Sequence, residues 1–289
     1  VLTLIDSISL AGDRAKQNDD ALGNGIASAW VIDGATDLHD EPLTPFASDA
    51  AWIAQRLNRY LARFAAEEGW ELLTESTLRY WIRIASQDAA AAFEDLAGDE
   101  EIEPWQRPVA SALLAAEAAE GLNGLDLGDC RLFALDAKGA AHAAGGPPGA
   151  ADREAQLAAQ FTKSGAAAQQ GPLYRAPPVL EKLRELRGRL TDPRSAVFSL
   201  NCDCAEHARA WSLALARPAH VLLATDGFAL LADRYEVYDA AGLVRAALDK
   251  GVHELGRELR AIETADAGGS RHPRWKRSDD ATAQLLRLD

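Results

Sequence analysis

Apolar residues open the chain in an extended run, Leu2–Leu10, that predicts a β-strand. After a Gly23–Asn24–Gly25 turn, Ile26–Ile32 predicts a second. A Gly-x-Gly can also cradle phosphate, but that geometry needs a helix N-terminus directly downstream. None is predicted here, so a hairpin turn is preferred. Thr44–Pro45 reads as a helix start, with threonine capping and proline at the first helical position. Behind it Phe46, Ala50, Ile53, Leu57, Leu61 and Phe64 recur at helical spacing towards Gly69. A second helix from about Thr74 carries Leu78, Ile82, Ala85, Ala89, Phe93 and Leu96 on one stripe. Both stripes read as faces packed on a sheet.

The period then changes. Val109–Ala116, Leu122–Leu127 and Cys130–Leu135 predict strands, and a turn at Asp136–Gly139 leads to a short fourth at Ala140–Ala144. Arg153–Phe161 and Pro178–Arg187 predict helices, and Ala196–Leu200 a strand. His220–Thr225 is a continuous apolar run of the kind found in fully buried strands. Helices over Ala240–Lys250 and Val252–Ala265 precede a polar loop, and Ala281–Leu288 predicts a further strand. Strands at both ends and in the middle, with helices in pairs between them, predict two packed sheets flanked by helices. No Pro/Gly/Ser-rich linker divides the 289 residues, so one domain over 1–289 is expected.

Composition narrows the partners. With 44 acidic and 30 basic residues the net charge is −14, which argues against a nucleic-acid backbone. No apolar run approaches the ~20 residues that cross a bilayer, and no membrane partner is expected. Val1–Leu10 holds an aspartate, two serines and no basic leader, so it does not read as a signal peptide and a cytoplasmic setting is the default expectation. Cys130, Cys202 and Cys204 make no disulfide framework and suit a reducing compartment. Cys202–Asp203–Cys204 lacks the second pair or histidine cluster that a zinc site needs. A cysteine-nucleophile phosphatase needs an arginine six positions after its thiolate; those positions hold Asp136, Ala208 and Ala210. That mechanism is excluded.

The informative carboxylates stand at predicted strand ends. Asp33 follows Ala29–Ile32 and precedes Gly34, and Asp226 follows Val221–Thr225 and precedes Gly227. Asp279 stands just before Ala281–Leu288, Asp129 lies at the junction of two strands, and Asp20 precedes the first hairpin. A strand end fixes a side chain at the rim of a sheet, and a following glycine leaves its carbonyl open as a further ligand. Carboxylates gathered this way repel one another unless cations lie among them. An all-oxygen donor set selects Mg²⁺ or Mn²⁺ over zinc. Two such ions can stabilise both the attacking and the leaving oxygen of an in-line displacement at phosphorus. Taken singly, an Asp-Gly pair is most often a turn and nothing more.

The series is more telling than its members. Asn18–Asp19–Asp20–Ala21, Val31–Ile32–Asp33–Gly34, Gly128–Asp129–Cys130–Arg131, Leu222–Leu223–Ala224–Thr225–Asp226–Gly227–Phe228 and Ser278–Asp279–Asp280–Ala281–Thr282 follow in that order. Together they resemble the ordered motifs of the type 2C metal-dependent serine/threonine protein phosphatases, the PPM family. The resemblance implies an α+β fold, a four-layer αββα sandwich of two mainly antiparallel sheets flanked by helix pairs. It implies two Mg²⁺ or Mn²⁺ ions, with Asp33 bridging both, the Gly34 carbonyl on one, and Asp226 and Asp279 completing the shell of the other. Asp20 would orient metal-bound water, and Asp129 would help hold a weak third ion. Water or hydroxide between the ions would attack a phosphoserine or phosphothreonine of a protein substrate, with no phosphoenzyme. A catalytically inactive module that binds a phosphorylated or regulatory protein is the alternative.

The chain also departs from the family pattern, as a divergent, bacterial-type member would. The family's phosphate-gripping arginine shortly before the first motif is matched only by Arg14 and Lys16, neither at the common spacing to Asp20. Arg14 is favoured as the clamp, because its planar fork matches phosphate; the competing reading is a solvated loop charge. Ala35–Thr36–Asp37–Leu38 replaces the glycines that usually follow Asp-Gly, and Pro108–Val109–Ala110–Ser111 replaces Gly-Thr-Thr. The six histidines share no spacing with the aspartates, which disfavours a calcineurin-like dinuclear site. His39, near the Asp33–Gly34 motif, is weighed as a leaving-group acid against a solvated loop histidine.

Overall fold

Alternation within the strands sorts their side chains onto two faces, and both faces are covered. The computed structural model describes residues 1–67, 73–147, 149–163 and 172–289. Along the chain, β1 (Leu2–Leu10), β2 (Asp20–Asn24) and β3 (Ser28–Gly34) precede α1 (Asp49–Glu67) and α2 (Glu75–Ala97). Four strands follow, β4 (Ala110–Ala118), β5 (Gly121–Leu127), β6 (Arg131–Leu135) and β7 (Ala141–Ala144). Then come α3 (Ala150–Lys163), α4 (Pro177–Leu190), the single turn α5 (Cys204–His207), β8 (Arg209–Ala214) and β9 (Ala219–Ala224). The remainder is α6 (Asp226–Asp233), α7 (Ala240–Lys250), α8 (Val252–Ala265) and β10 (Ala281–Leu288).

The strands form two sheets in the orders β1-β10-β9-β6-β7 and β2-β3-β4-β5-β8, antiparallel throughout. In β3, Ala29 and Val31 face the other sheet, where they meet Leu132, Val221, Leu223 and Leu286. Their neighbours Trp30 and Ile32 face outwards, under Ile53, Leu57 and Leu61 of α1 and Leu78, Trp81 and Ile82 of α2. On the opposite outer face, Phe133, Leu222 and Leu285 lie under Phe228, Leu243, Val244, Leu255 and Leu259 of α6, α7 and α8. The result is the four-layer αββα sandwich. Each fully buried leucine or isoleucine adds about 1.5–3 kcal/mol to its stability.

Several sequence expectations are corrected. α1 begins at Asp49, not at Thr44–Pro45. The Asp37 carboxylate accepts hydrogen bonds from the amides of Asp49 (2.8 Å) and Ala50 (3.1 Å) and so caps the helix. Asp49 in turn accepts from the amides of Leu43 (2.9 Å) and Thr44 (2.8 Å), which holds that stretch as a loop. The expected helix end near Gly69 lies outside the described residues. Ala196–Leu200 is not a strand; Phe198 makes one isolated bridge to Ala110. The hairpin partner of β3 is β2, whereas β1 pairs with β10. Among the described residues no helix is long and apolar enough to cross a membrane.

Candidate metal centre

The two sheets bring the acidic residues to one rim. Asp20 in β2 pairs in register with Asp33 in β3, and Asp33 pairs with Ser111 in β4. The Ser111 hydroxyl donates to Asp129 Oδ1 at 2.7 Å, fixing the carboxylate that sits where the chain crosses from β5 to β6. Gly128 has φ +99°, and a Cβ there would run into the Ser111 side chain, so only glycine permits this approach. Asp226 is not at a strand end: Thr225 is the N-cap and Asp226 is the first residue of α6. The partial positive charge of a helix N-terminus suits an anion there. The Thr225 hydroxyl donates to Asp20 Oδ2 at 2.8 Å, leaving Asp20 Oδ1 buried with no partner.

The loop before β10 is fastened from behind. Arg260 donates to the carbonyl oxygens of Asp279 (2.8 Å), Leu10 (3.2 Å) and Ala11 (3.3 Å), and to Glu263. Asp280 accepts from the amides of Gly12 (2.7 Å) and Asp19 (2.6 Å). Gly34 lies so close to α1 that a Cβ would run into the Ala50 carbonyl oxygen.

Asp33, Asp129 and Asp226 each offer an oxygen within 4.8 Å of the others. Asp279 is outside this group: its Oδ1 accepts from Lys276 Nζ at 2.6 Å, and it lines a cavity with Asp129 and Asp226. Asp129 thus joins Asp33 and Asp226 in the tight set, with Asp279 beside them on the shared cavity. Arg14 is exposed and has no hydrogen-bond or ion-pair partner among the described residues. Lys16 Nζ donates to the Tyr174 hydroxyl at 3.2 Å. A second group, Asp37, His39 and Asp49, is used up internally: Asp37 caps α1, and Asp49 takes His39 Nε2 at 2.9 Å besides the loop amides. His39 is thus neither solvated nor aimed at a leaving group.

Crowding sets the electrostatics. Burial, then the charges of Asp226 and Asp20, pushes Asp33 well above the usual carboxylate range. Burial and Asp280 do the same to Asp20. Asp226 is raised to about 7 by burial, Asp129 and Asp279, and the charges of Asp226, Asp129 and Asp279 push the exposed Glu154 of α3 upwards too. Oxygen-only donors, an orphaned buried oxygen on Asp20 and a repelling set of acids fit a hard divalent cation.

A folded pKa above the unfolded 3.8 means that the stability contribution of Asp226 is full below that value and is lost as pH rises through about 7. In chelator, the melting temperature should fall between about pH 5 and about pH 8. Mn²⁺ at a hundred times its Kd should add about 2.7 kcal/mol, and should act more weakly at the acid end, where protons compete. Scanning fluorimetry checks this; a metal-free melting temperature that rises across the range contradicts it.

Sequence reasoning missed Lys276, Glu154 and Arg260. Glu154 and Arg260 come from helices with no motif around them. Lys276 had one available signal, its place three residues before Asp279.

No family model and no curated protein matches the sequence. Solved structures do. The Mycobacterium tuberculosis serine/threonine phosphatase PstP/Ppp is 19% identical with a TM-score of 0.55, over 100% of this chain and 99% of that one. A PstP catalytic domain in complex with two manganese ions has the same identity and TM-score over 100% of both chains. The S. agalactiae serine/threonine phosphatase is 13% identical with a TM-score of 0.56, again over 100% of both. Stp1 from Staphylococcus aureus is 13% identical with a TM-score of 0.53, over 98% of this chain and 94% of that one. At such identities the likeness is one of fold: the chain has the architecture of the PPM serine/threonine phosphatases, in a divergent sequence.

Proposed function

We propose that this chain, as one domain over residues 1–289, is a Mg²⁺- or Mn²⁺-dependent phosphomonoester hydrolase acting on phosphoserine or phosphothreonine in proteins. The observation that carries the reading is the convergence of Asp33 in β3, Asp129 between β5 and β6, and Asp226 in α6 at one rim of a phosphatase fold. Divalent cations bound there supply the charge that lowers the pKa of an attacking water and offsets charge developing on the phosphoryl oxygens. The carboxylates would hold those ions, and the Gly34 carbonyl and Asp279 would be further oxygen donors. Asp20, steadied by Thr225, keeps Oδ1 free to accept a proton of the attacking water and orient it. The cysteines are free and two of them are buried, consistent with work in the cytoplasm and with no covalent role.

Hydrolysis of p-nitrophenyl phosphate, with and without Mn²⁺, tests the proposal. Turnover that Mn²⁺ stimulates and a chelator abolishes is expected. If Mn²⁺ binds and no turnover follows, the chain is a phosphoprotein-binding module instead.

Arg14 serves as the phosphate clamp in this reading, since its guanidinium is uncommitted and its loop packs on Asp279 through Gly12. Arg14→Ala should raise KM for a phosphopeptide about tenfold, the worth of one charge-assisted contact, with a smaller change in kcat. Lys16→Ala should leave KM near the parent value. The opposite pattern moves the clamp to Lys16.

A further inference from the structure

Among the described residues, the carboxylates of Asp20, Asp33, Asp129, Asp226, Asp279 and Glu154 lie around this rim. Among the described residues, Lys276 is the basic side chain that makes ion-pair contact with any of them, on Asp279. It lines, with Asp129, Asp226, Asp279 and Glu154, a cavity of about 230 Å³. The lysine is also delivered by a fixed backbone. Arg274 ties the preceding turn to Asp266 at 3.0 Å and to the His272 carbonyl at 2.8 Å. The Trp275 carbonyl accepts from the Tyr174 amide at 3.3 Å, and its indole packs against Phe161. A surface lysine that wandered into the site by chance would have no such support.

We infer that Lys276 is a resident counter-cation, competing for Asp279 with the second of the two divalent ions. The inference rests on the metal-centre reading above and deepens it. None of the ion pairs among the described residues falls on Asp33, Asp129 or Asp226, whose convergence marks the place of a tightly held ion. Asp279 stands beside them with Oδ1 taken by the ammonium and by the Asp280 amide at 2.9 Å. An ammonium has three donors and only one is spent on Asp279 among the described residues, so the other two remain for neighbouring oxygens. A divalent ion brings more charge, but it must shed water and displace the ammonium before Asp279 can ligate it. The centre should therefore take one ion tightly and the second against resistance.

Calorimetric titration of the whole protein with Mn²⁺ tests this without reference to turnover. The parent chain should show one tight site and a second at least about tenfold weaker. Lys276→Gln should tighten the second site about tenfold or more, because a unit positive charge is removed at contact distance, and should change the first site less. Lys276→Arg, which keeps the charge, should retain the parent pattern and guards against a glutamine variant that fails to fold. Asp279→Asn should delete the weak site and spare the tight one. Two equally tight sites in the parent chain, or a second site unmoved by Lys276→Gln, overturns the inference while leaving the metal centre standing. Failure of the parent chain to bind Mn²⁺ at all removes both.

Discussion

Asp226→Asn should lower Mn²⁺-dependent turnover by about a thousandfold, equivalent to about 4 kcal/mol, while the protein stays folded. The substitution keeps the shape of the side chain at the first position of α6, so the Thr225 cap and the packing of Phe228 beneath it are undisturbed. What it removes is one of three converging negative charges. In chelator those charges repel, and burial with Asp129 and Asp279 already drives Asp226 up to about 7. Removing the charge should therefore leave the metal-free melting temperature unchanged or higher. The Mn²⁺-induced rise should vanish. A variant that gains stability without metal and loses both metal response and turnover separates a ligand from a structural residue. Near-parental turnover would sink the metal-centre reading.

Gly227→Ala should act on stability and turnover together. In an ordinary helix this change gains up to about 1 kcal/mol. Here the new Cβ would run into the Asp280 carbonyl oxygen and lie 3.4 Å from the Asp279 Cβ. That loop cannot simply give way, because Arg260 holds the Asp279 carbonyl and the Gly12 and Asp19 amides hold Asp280. Overpacking of this kind costs about 1–3 kcal/mol, which should lower the melting temperature by roughly 2–12 °C for a chain of this size. Because the shift falls on Asp279 and Asp226, turnover should fall about a hundredfold as well. Gly268→Ala, where an added Cβ meets nothing, is the control and should change neither. A stabilised Gly227→Ala enzyme with full activity would show that Asp226 and Asp279 need not be held face to face.

Local pattern was a good guide wherever local forces decide. Leu2–Leu10 and Ala281–Leu288 match β1 and β10 residue for residue, and Ala240–Lys250 and Val252–Ala265 match α7 and α8. The start of α1 was illegible because its cap is Asp37, twelve residues upstream, rather than the adjacent Thr44. β8 is an edge strand whose residues alternate between partly buried and exposed, so no apolar run announces it. α6 was hidden because Asp226–Gly227 has the composition of a turn; here the glycine is needed for contact with the Asp280 backbone. The acids of the site could be read from short strings of neighbours. Their mutual distances could not: the place of Asp129 depends on Ser111 of β4, and that of Asp279 on Lys276.

The position of β10 between β1 and β9 carries a consequence for synthesis. A ribosome making this chain delivers β1 first and must then hold it without its partner until residues 281–288 have emerged. Until then β1 lacks its strand partner, and β9, already paired with β6, is open along its other edge. Asp279 and Asp280 emerge just ahead of that strand, so the acidic rim is completed in the same step. Nascent chains halted before residue 279 should have neither the closed sheet nor the site, and should depend on chaperones until β10 arrives. Pairing across so long a stretch of sequence also makes folding slow.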